Sequence, residues 1–433
     1  MYGFSDRRFT PEIKVLLAAA VLFLSALLCR SSLSDSVEQQ TRSQLLRLQM
    51  LLLLSSLMLI GSMYIWKRLN FLLSQGCLWQ VSVLFFLVMA HLSFFTLLFL
   101  VSEEPHPIAM VAYTCLGSWV LLVFFLFIFS IVEQCHKLIR NRLATGPTAA
   151  VSGSNRTVLL ALAVTLALTV IGLYNGARPP AVVRVQITVD KLPSSLNNLR
   201  LALLSDIHLG PTVGRNKLER VVRMVNELQP DIVAIVGDLT DSQVVNLQTA
   251  SEPLRELKTK LGTYFVTGNH EYYTVDVSNW FSYLKMLNVQ PLHNTNVRIG
   301  PVERSDEWLC LAGVDDVEAH LLRYPGHGMN LERALDGCGP DRAIILLAHQ
   351  PTAAKKALQM RPDISLILSG HTHGGQIFPF TIAAYLFNPY FSGLYKVGER
   401  NFVYVTPGTV YYGIPMRIAS RAEITEITLK SPS

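Results

Sequence analysis

The sequence predicts a chain in two parts that face different solvents: an N-terminal all-α multispan membrane bundle and a C-terminal α/β domain. Three observations predict it. Charged residues are 16% and hydrophobic residues 50% of 433, where an ordinary soluble protein carries about 25% charged residues. Apolar runs of membrane length dominate the chain up to about residue 174. Beyond residue 195, short β-branched runs alternate with helix-like segments, the pattern of an α/β sheet.

Five apolar segments are candidate spans, roughly 12–29, 48–66, 79–101, 108–132 and 157–174. A membrane helix needs about 20 mostly apolar residues. The first follows Arg7, Arg8 and Lys14 as a signal peptide would, but no small-x-small cleavage site comes after it, and four further spans argue for retention. Basic residues mark cytoplasmic loops. Lys67 and Arg68 lie between spans two and three, and Lys137, Arg140, Arg142 and Arg156 between four and five. The loop between three and four holds Glu103 and Glu104 and no basic residue. This places the N-terminus in the cytoplasm and, after five crossings, the C-terminal domain on the exoplasmic or lumenal side. Arg30, Arg42 and Arg47 in the first loop run against the scheme. His91 is a lone imidazole within the third span.

The expected division is 1–174 for the membrane region, 175–195 for a linker and first strand, and 196–433 for the second domain. Arg178-Pro179-Pro180 marks the break, and AVVRVQITVD alternates as a strand does. No CxxC occurs, so neither a zinc knuckle nor a disulfide framework is indicated. A single Cys310–Cys338 bridge is left open. The net charge of +6 is modest, and without a dense basic tract there is no nucleic-acid-binding signal.

Five apolar runs of the second domain stop at metal-capable side chains. LRLALLS leads to Asp206 and His208, DIVAIV to Asp238 and Asp241, and TYFVT to Asn269, His270 and Glu271. AIILLA leads to His349, and ISLILS to His371 and His373. Between the first two runs, Leu218, Val221, Val222, Val225 and Leu228 share one helix face. Ligands of such sheets gather at the carboxyl ends of the strands, so these motifs converge. In GHTHGG the glycines Gly370, Gly374 and Gly375 permit close approach and positive φ. The turn can then fan His371 and His373 to two metals about 3.5–4 Å apart, one histidine to each. Asp206 and His208 add an oxygen and a nitrogen, and the Asp238 carboxylate can bridge.

DxH, GDxxD, GNHE, a later lone histidine and GHTH, in that order over about residues 190–430, resemble the calcineurin-like metallophosphoesterases. LSDIHLG, VTGNHEYY, AHQP and GHTHGGQ are similar to the branch of bacterial membrane-associated phosphoesterases. The resemblance implies a four-layer sandwich, two mixed β-sheets flanked by helices. It implies one metal on Asp206, His208, Asp238 and His373, and a second on Asp238, Asn269, His349 and His371. His270 would sit near the phosphoryl group, oriented by Asp241. Two departures from the Ser/Thr protein phosphatases put protein phosphatase activity in doubt. Ser242-Gln243 stand where those enzymes carry Arg-Gly, and Tyr272-Tyr273 where they carry an arginine.

The expected function is a membrane-anchored, metal-dependent phosphoric ester hydrolase. A hydroxide bridging two divalent cations would attack a phosphomonoester or phosphodiester while His270 assists the leaving group. All-nitrogen-and-oxygen donors suit Mn, Fe or Zn. The partners expected are a phosphate-ester substrate, a lipid phosphate among the candidates, and the membrane; no protein partner is indicated. The alternative is a non-catalytic metal- or phospholigand-binding domain of a multispan receptor or transporter. Outside the motifs, His293, His320 and His327 read as surface or loop histidines, Asp315-Asp316 as an exposed turn sooner than a pocket lining, and Glu271 as structural sooner than catalytic. Tyr272 and Tyr273 read equally as substrate-facing or as packed on the protein.

Overall fold

The computed structural model describes residues 10–31, 39–143, 154–301 and 306–432. Arg7 and Arg8, which precede the first candidate span, lie outside the described residues. The chain divides into two compact units, one of Met1–Phe94 with Val111–Val170 and one of Phe95–Met110 with Ile171–Ser433.

The first unit is helical. The helices Pro11–Ser31, Gln39–Arg68, Cys77–Phe99, Pro107–Leu143 and Ser154–Ala177 match the five expected segments, the third ending two residues before its expected end at 101. Among the described residues, four stretches are long and apolar enough to cross a membrane: Leu48–Arg68, Cys77–Leu97, Pro107–Arg140 and Asn155–Ala177. Helix Pro11–Ser31 is not one of these four. Inside the unit, Ile65, Leu69, Leu87, Leu122, Leu126, Val158 and Ala161 form a buried cluster. Outward, Leu57, Phe85, Phe127 and Leu166 are each more than half exposed, which suits a hydrocarbon surround and not water. His91 packs between helices, its Nε2 3.1 Å from Ser62 Oγ, which also accepts from Trp119 Nε1 at 3.0 Å.

Among the described residues the second unit contains twelve strands: β1 Ala181–Thr188, β2 Leu199–Leu204, β3 Ile232–Val236, β4 Thr263–Val266, β5 Val289–Pro291, β6 Thr295–Ile299, β7 Leu309–Gly313, β8 Ile344–Leu347, β9 Leu366–Ser369, β10 Gly393–Val397, β11 Asn401–Val405 and β12 Glu423–Lys430. They form two six-stranded sheets, ordered β1-β12-β2-β3-β4-β5 and β10-β11-β9-β8-β7-β6. Both are mixed. In the first only the β12–β2 pair is antiparallel; in the second β10–β11 and β6–β7 are.

Alternation along the strands makes the layers, because successive side chains point to opposite faces. Leu201, Leu203, Ala234 and Val236 of the first sheet meet Leu309, Leu311, Ile345, Leu347, Leu366 and Leu368 of the second in one core. Ala202, Leu204, Val233 and Ile235 face the other way, onto Leu218, Val221, Val222 and Val225 of helix Arg215–Glu227. Ala312, Ile344, Leu346 and Ile367 pack outward on Ala353, Ala354 and Ala357 of helix Pro351–Met360. The result is helix, sheet, sheet, helix. The bridge left open by the sequence is closed: Cys310 on β7 joins Cys338 across 28 residues.

Candidate metal centre

Strands β2, β3 and β4 are parallel neighbours in one sheet, and β8 and β9 are parallel neighbours in the other. Their carboxyl ends therefore open at one edge of the sandwich, and the five motif turns meet there. The turns are tight. Asp206, His208, Asp238, His371 and His373 all have positive φ, between 51° and 72°, an unusual state for residues with a Cβ that clusters at functional sites. Gly374 and Gly375 share it, at 55° and 73°, but Gly370 does not. Gly370 answers a different need, since a Cβ there would collide with Ser205 Oγ and Asp206 Oδ2.

Two nitrogen–oxygen clusters result. In the first, His373 Nε2 lies 3.2 Å from Asp206 Oδ1 and 3.1 Å from His208 Nε2, and His208 Nε2 lies 3.7 Å from Asp238 Oδ2. In the second, His349 Nε2 lies 3.2 Å from Asp238 Oδ2, and His371 Nδ1 lies 2.9 Å from Asn269 Oδ1. His371 and His373 thus go to different clusters, and the Asp238 carboxylate reaches both.

The donor set fits divalent cations. His349 Nδ1 donates to the Val236 carbonyl at 2.8 Å, which aims its buried Nε2 at Asp238 Oδ2, 3.2 Å away. In the other cluster the Nε2 atoms of His208 and His373 face each other at 3.1 Å beside Asp206, and a bound cation would give these converging lone pairs and carboxylates one target. Burial, together with the neighbouring His349, lowers His371 to about 4. Burial and His208 also hold His373 well below the usual imidazole range. Both rings therefore carry free lone pairs at neutral pH. His349 differs, because the Asp238 carboxylate outweighs burial and holds it protonated well above the usual range.

Asp241 has a double task. Its Oδ1 lies 2.8 Å from His208 Nδ1 and 2.8 Å from His270 Nδ1. Burial works against its charge, yet the two imidazoles bring Asp241 down to about 2. Burial likewise opposes the charge on His270, but the carboxylates of Asp238 and Asp241 raise it to about 9. The His270 ring stands 15% exposed at the edge of the clusters.

Several participants went unnoticed in the sequence. Tyr412 sets its ring 4.7 Å from that of His208 and 4.6 Å from that of His270, and is 40% exposed at the rim. Arg417, fully buried, donates to the carbonyls of His373 and Pro407 and so braces the second histidine turn. Both follow β11, an apolar run that ends in Thr406-Pro407-Gly408 and not in a metal-capable side chain. Glu271 has a structural role: its buried carboxylate accepts the backbone N–H groups of Asp238, Leu239, Thr240 and Gly268 at 2.6–3.2 Å. Tyr272 is fully buried and packs on the protein. Asp315 and Asp316 correct an expectation. Each is 1% exposed, because the turn after β7 is covered by the segment that follows it.

The family model for calcineurin-like phosphoesterase matches residues 199–375, the stretch that supplies every side chain of the two clusters. The chain belongs to the calcineurin-like phosphoesterases. It is 55% identical over 439 residues to a transmembrane protein with metallophosphoesterase domain from Danio rerio, covering 99% of this chain and 100% of that one. A protein of the same name from Bos taurus is 55% identical over 439 residues, covering 98% and 99%. An uncharacterized metallophosphoesterase from Helicobacter pylori is 35% identical over 258 residues, covering 60% and 66%.

Two outcomes follow. Glu271→Gln leaves one carbonyl oxygen, which can accept from two donors at most, for four buried amides. A loss of roughly 2–4 kcal/mol is expected, seen as a lower thermal unfolding midpoint of the solubilised chain. Metal loading should release protons, because His349 must give up its Nε2 proton to present a lone pair. Affinity should therefore weaken as pH falls. Titration calorimetry in buffers of different ionisation enthalpy reads the protons directly, and a buffer-independent heat would contradict the assignment.

Proposed function

We propose that this chain is a membrane-anchored dinuclear-metal phosphoesterase that hydrolyses a phosphomonoester or phosphodiester. The observation that carries the reading is the position of Asp238, whose Oδ2 lies 3.7 Å from His208 Nε2 in one cluster and 3.2 Å from His349 Nε2 in the other. Asp206, His208, Asp238 and His373 would hold one divalent cation; Asp238, Asn269, His349 and His371 would hold the second. Such a pair, of which Mn, Fe or Zn suit the donors, neutralises phosphate oxygens and supplies a water acidified to about neutrality.

The remaining work falls to the chain's own groups. Asp241 fixes His270 through Nδ1, which leaves Nε2 with a proton to give to a leaving oxygen. The raised value of about 9 keeps that proton in place at neutral pH. The rings of Tyr412 and Tyr273, 4.6 Å and 5.3 Å from that of His270, limit its movement and shield it from water. The long apolar helices place the protein in a bilayer, which favours a lipid phosphate as substrate.

The orientation proposed is N-terminus cytoplasmic and phosphoesterase domain exoplasmic or lumenal, with helix Pro11–Ser31 as a fifth crossing. At 21 residues it is about 31 Å long, matching the hydrocarbon thickness of a bilayer. The Cys310–Cys338 bridge supports this side, since disulfides persist in oxidising compartments.

Solubilised full-length protein should hydrolyse bis-p-nitrophenyl phosphate or p-nitrophenyl phosphate with Mn²⁺ and lose the activity with chelator or in Asp238→Asn. His270→Ala should keep its metal while kcat falls about 10²–10⁴-fold. Metal retained with no turnover of either ester or of a lipid-phosphate panel would sink the enzyme reading. For orientation, a glycosylation acceptor appended after Ser433 should be modified in cells; its absence from the glycosylated fraction places the domain in the cytoplasm.

A further inference from the structure

Away from the two clusters, three side chains that read as surface or turn residues in the sequence meet at one point. His293 follows β5, Asp315 follows β7, and His327 lies beyond the short helix Glu318–Leu321. Asp315 Oδ1 lies 2.8 Å from His293 Nδ1, and Asp315 Oδ2 lies 3.2 Å from His327 Nδ1. The two imidazole centroids are 4.4 Å apart. One donor atom from each residue lies within 4.8 Å of the other two. The carboxylate is 1% exposed, while the His293 side chain is 28% exposed, so the point is open to solvent on one side.

Without a metal, hydrogen bonds satisfy the group: the His327 Nδ1 proton is shared between Asp315 Oδ2 and the hydroxyl of buried Tyr272, each at 3.2 Å, and that hydroxyl lies 2.9 Å from Thr267 Oγ1. The same convergence suits a cation, because two imidazole lone pairs and one carboxylate charge then have a single target. Zinc takes histidine nitrogen and carboxylate oxygen at about 2.0–2.2 Å, which sets tetrahedral ligands about 3.3–3.5 Å apart. The 3.2 Å spacing is close to that, and the 2.8 Å spacing would have to open slightly.

We infer that His293, Asp315 and His327 form a third cation site, of the zinc type, distinct from the two clusters around Asp238, with water completing the coordination on the open side. Its place in the fold gives it a structural task. Gly328 N–H donates to Asp315 Oδ2 at 3.1 Å, and Asn294 Oδ1 accepts from the N–H groups of Asp315 and Asn330 at 3.2 and 2.9 Å. The site thus ties the turns after β5 and β7 to the 327–330 segment. The ring of Tyr272, edge-on to that of His327 at a centroid distance of 5.5 Å, carries the tie into helix Asn269–Thr274, whose first residues are Asn269 and His270.

The test is zinc content per chain of the solubilised full-length protein after dialysis against a zinc buffer, read by elemental mass spectrometry. His293→Gln combined with His327→Gln keeps amide donors for Asp315 and removes both imidazole ligands. This variant is expected to hold one zinc fewer than the wild type. Asp315→Asn should lose the same single equivalent. The difference is the readout, so the result stands whatever the occupancy at Asp238. Thermal unfolding of the zinc-free proteins checks that the glutamine variant folds; added zinc should then raise the midpoint of the wild type by more than that of the variant. Equal zinc content in wild type and variant overturns the inference. So does the loss of more than one equivalent from a folded variant, which would make the cluster a support of the Asp238 site and not a site of its own.

Discussion

The Glu271 carboxylate is the constraint on which the candidate centre depends. It is buried, and its two oxygens take four backbone N–H groups, three from the turn after β3 and one from the turn after β4. A charge in such a place is tolerated only when it is fully hydrogen-bonded. In return it locks two strand ends into one rigid body, one carrying Asp238 and the other Asn269 and His270. Without that tie, Asp238 would have no reason to stand between two groups of imidazoles.

A second constraint comes from the turns themselves. Five candidate ligand positions sit in the left-handed region, where a Cβ is unwelcome. Residues in such states persist only where their surroundings over-determine them. Here the surroundings are visible. Asp206 receives the His371 N–H and the Ser205 hydroxyl. Asp238 Oδ1 receives the His270 N–H. Arg417 holds the His373 carbonyl from behind. The strained turns aim the donor atoms inward, and the buried hydrogen bonds keep them there. Charge follows the same geometry, with carboxylates keeping His270 and His349 protonated while burial keeps His371 and His373 neutral.

The helical unit obeys a different solvent. Its buried cluster is small relative to the apolar surface it exposes, and its polar side chains pair with one another, as Ser62, His91 and Trp119 do. Backbone groups in hydrocarbon must be satisfied internally, which long helices achieve. The apolar helices and the metallophosphoesterase domain are therefore written in separate compositional registers of one chain, and each unit can be read in its own terms.

The sequence by itself determined the two-solvent organisation, the strand runs and the identity of the residues at their carboxyl ends. Those signals are local: apolar length, alternation and a motif directly after a strand survive in a linear reading. The apolar face of helix Arg215–Glu227 was legible for the same reason: Leu218, Val221, Val222 and Val225, and Leu228 at its C-cap, the five residues predicted for that face, are all buried. What the tertiary structure alone decided is which distant segments cover one another. Asp315 and Asp316 look like an exposed turn until the segment after them folds over. Tyr272 looks ambiguous until His327 arrives from 55 residues away. Tyr412 and Arg417 carry no motif and reach the centre only because β11 pairs with β9. Periodicity reports that a face is apolar or polar, but burial is a property of the partner that covers it, and that partner is chosen by non-local packing.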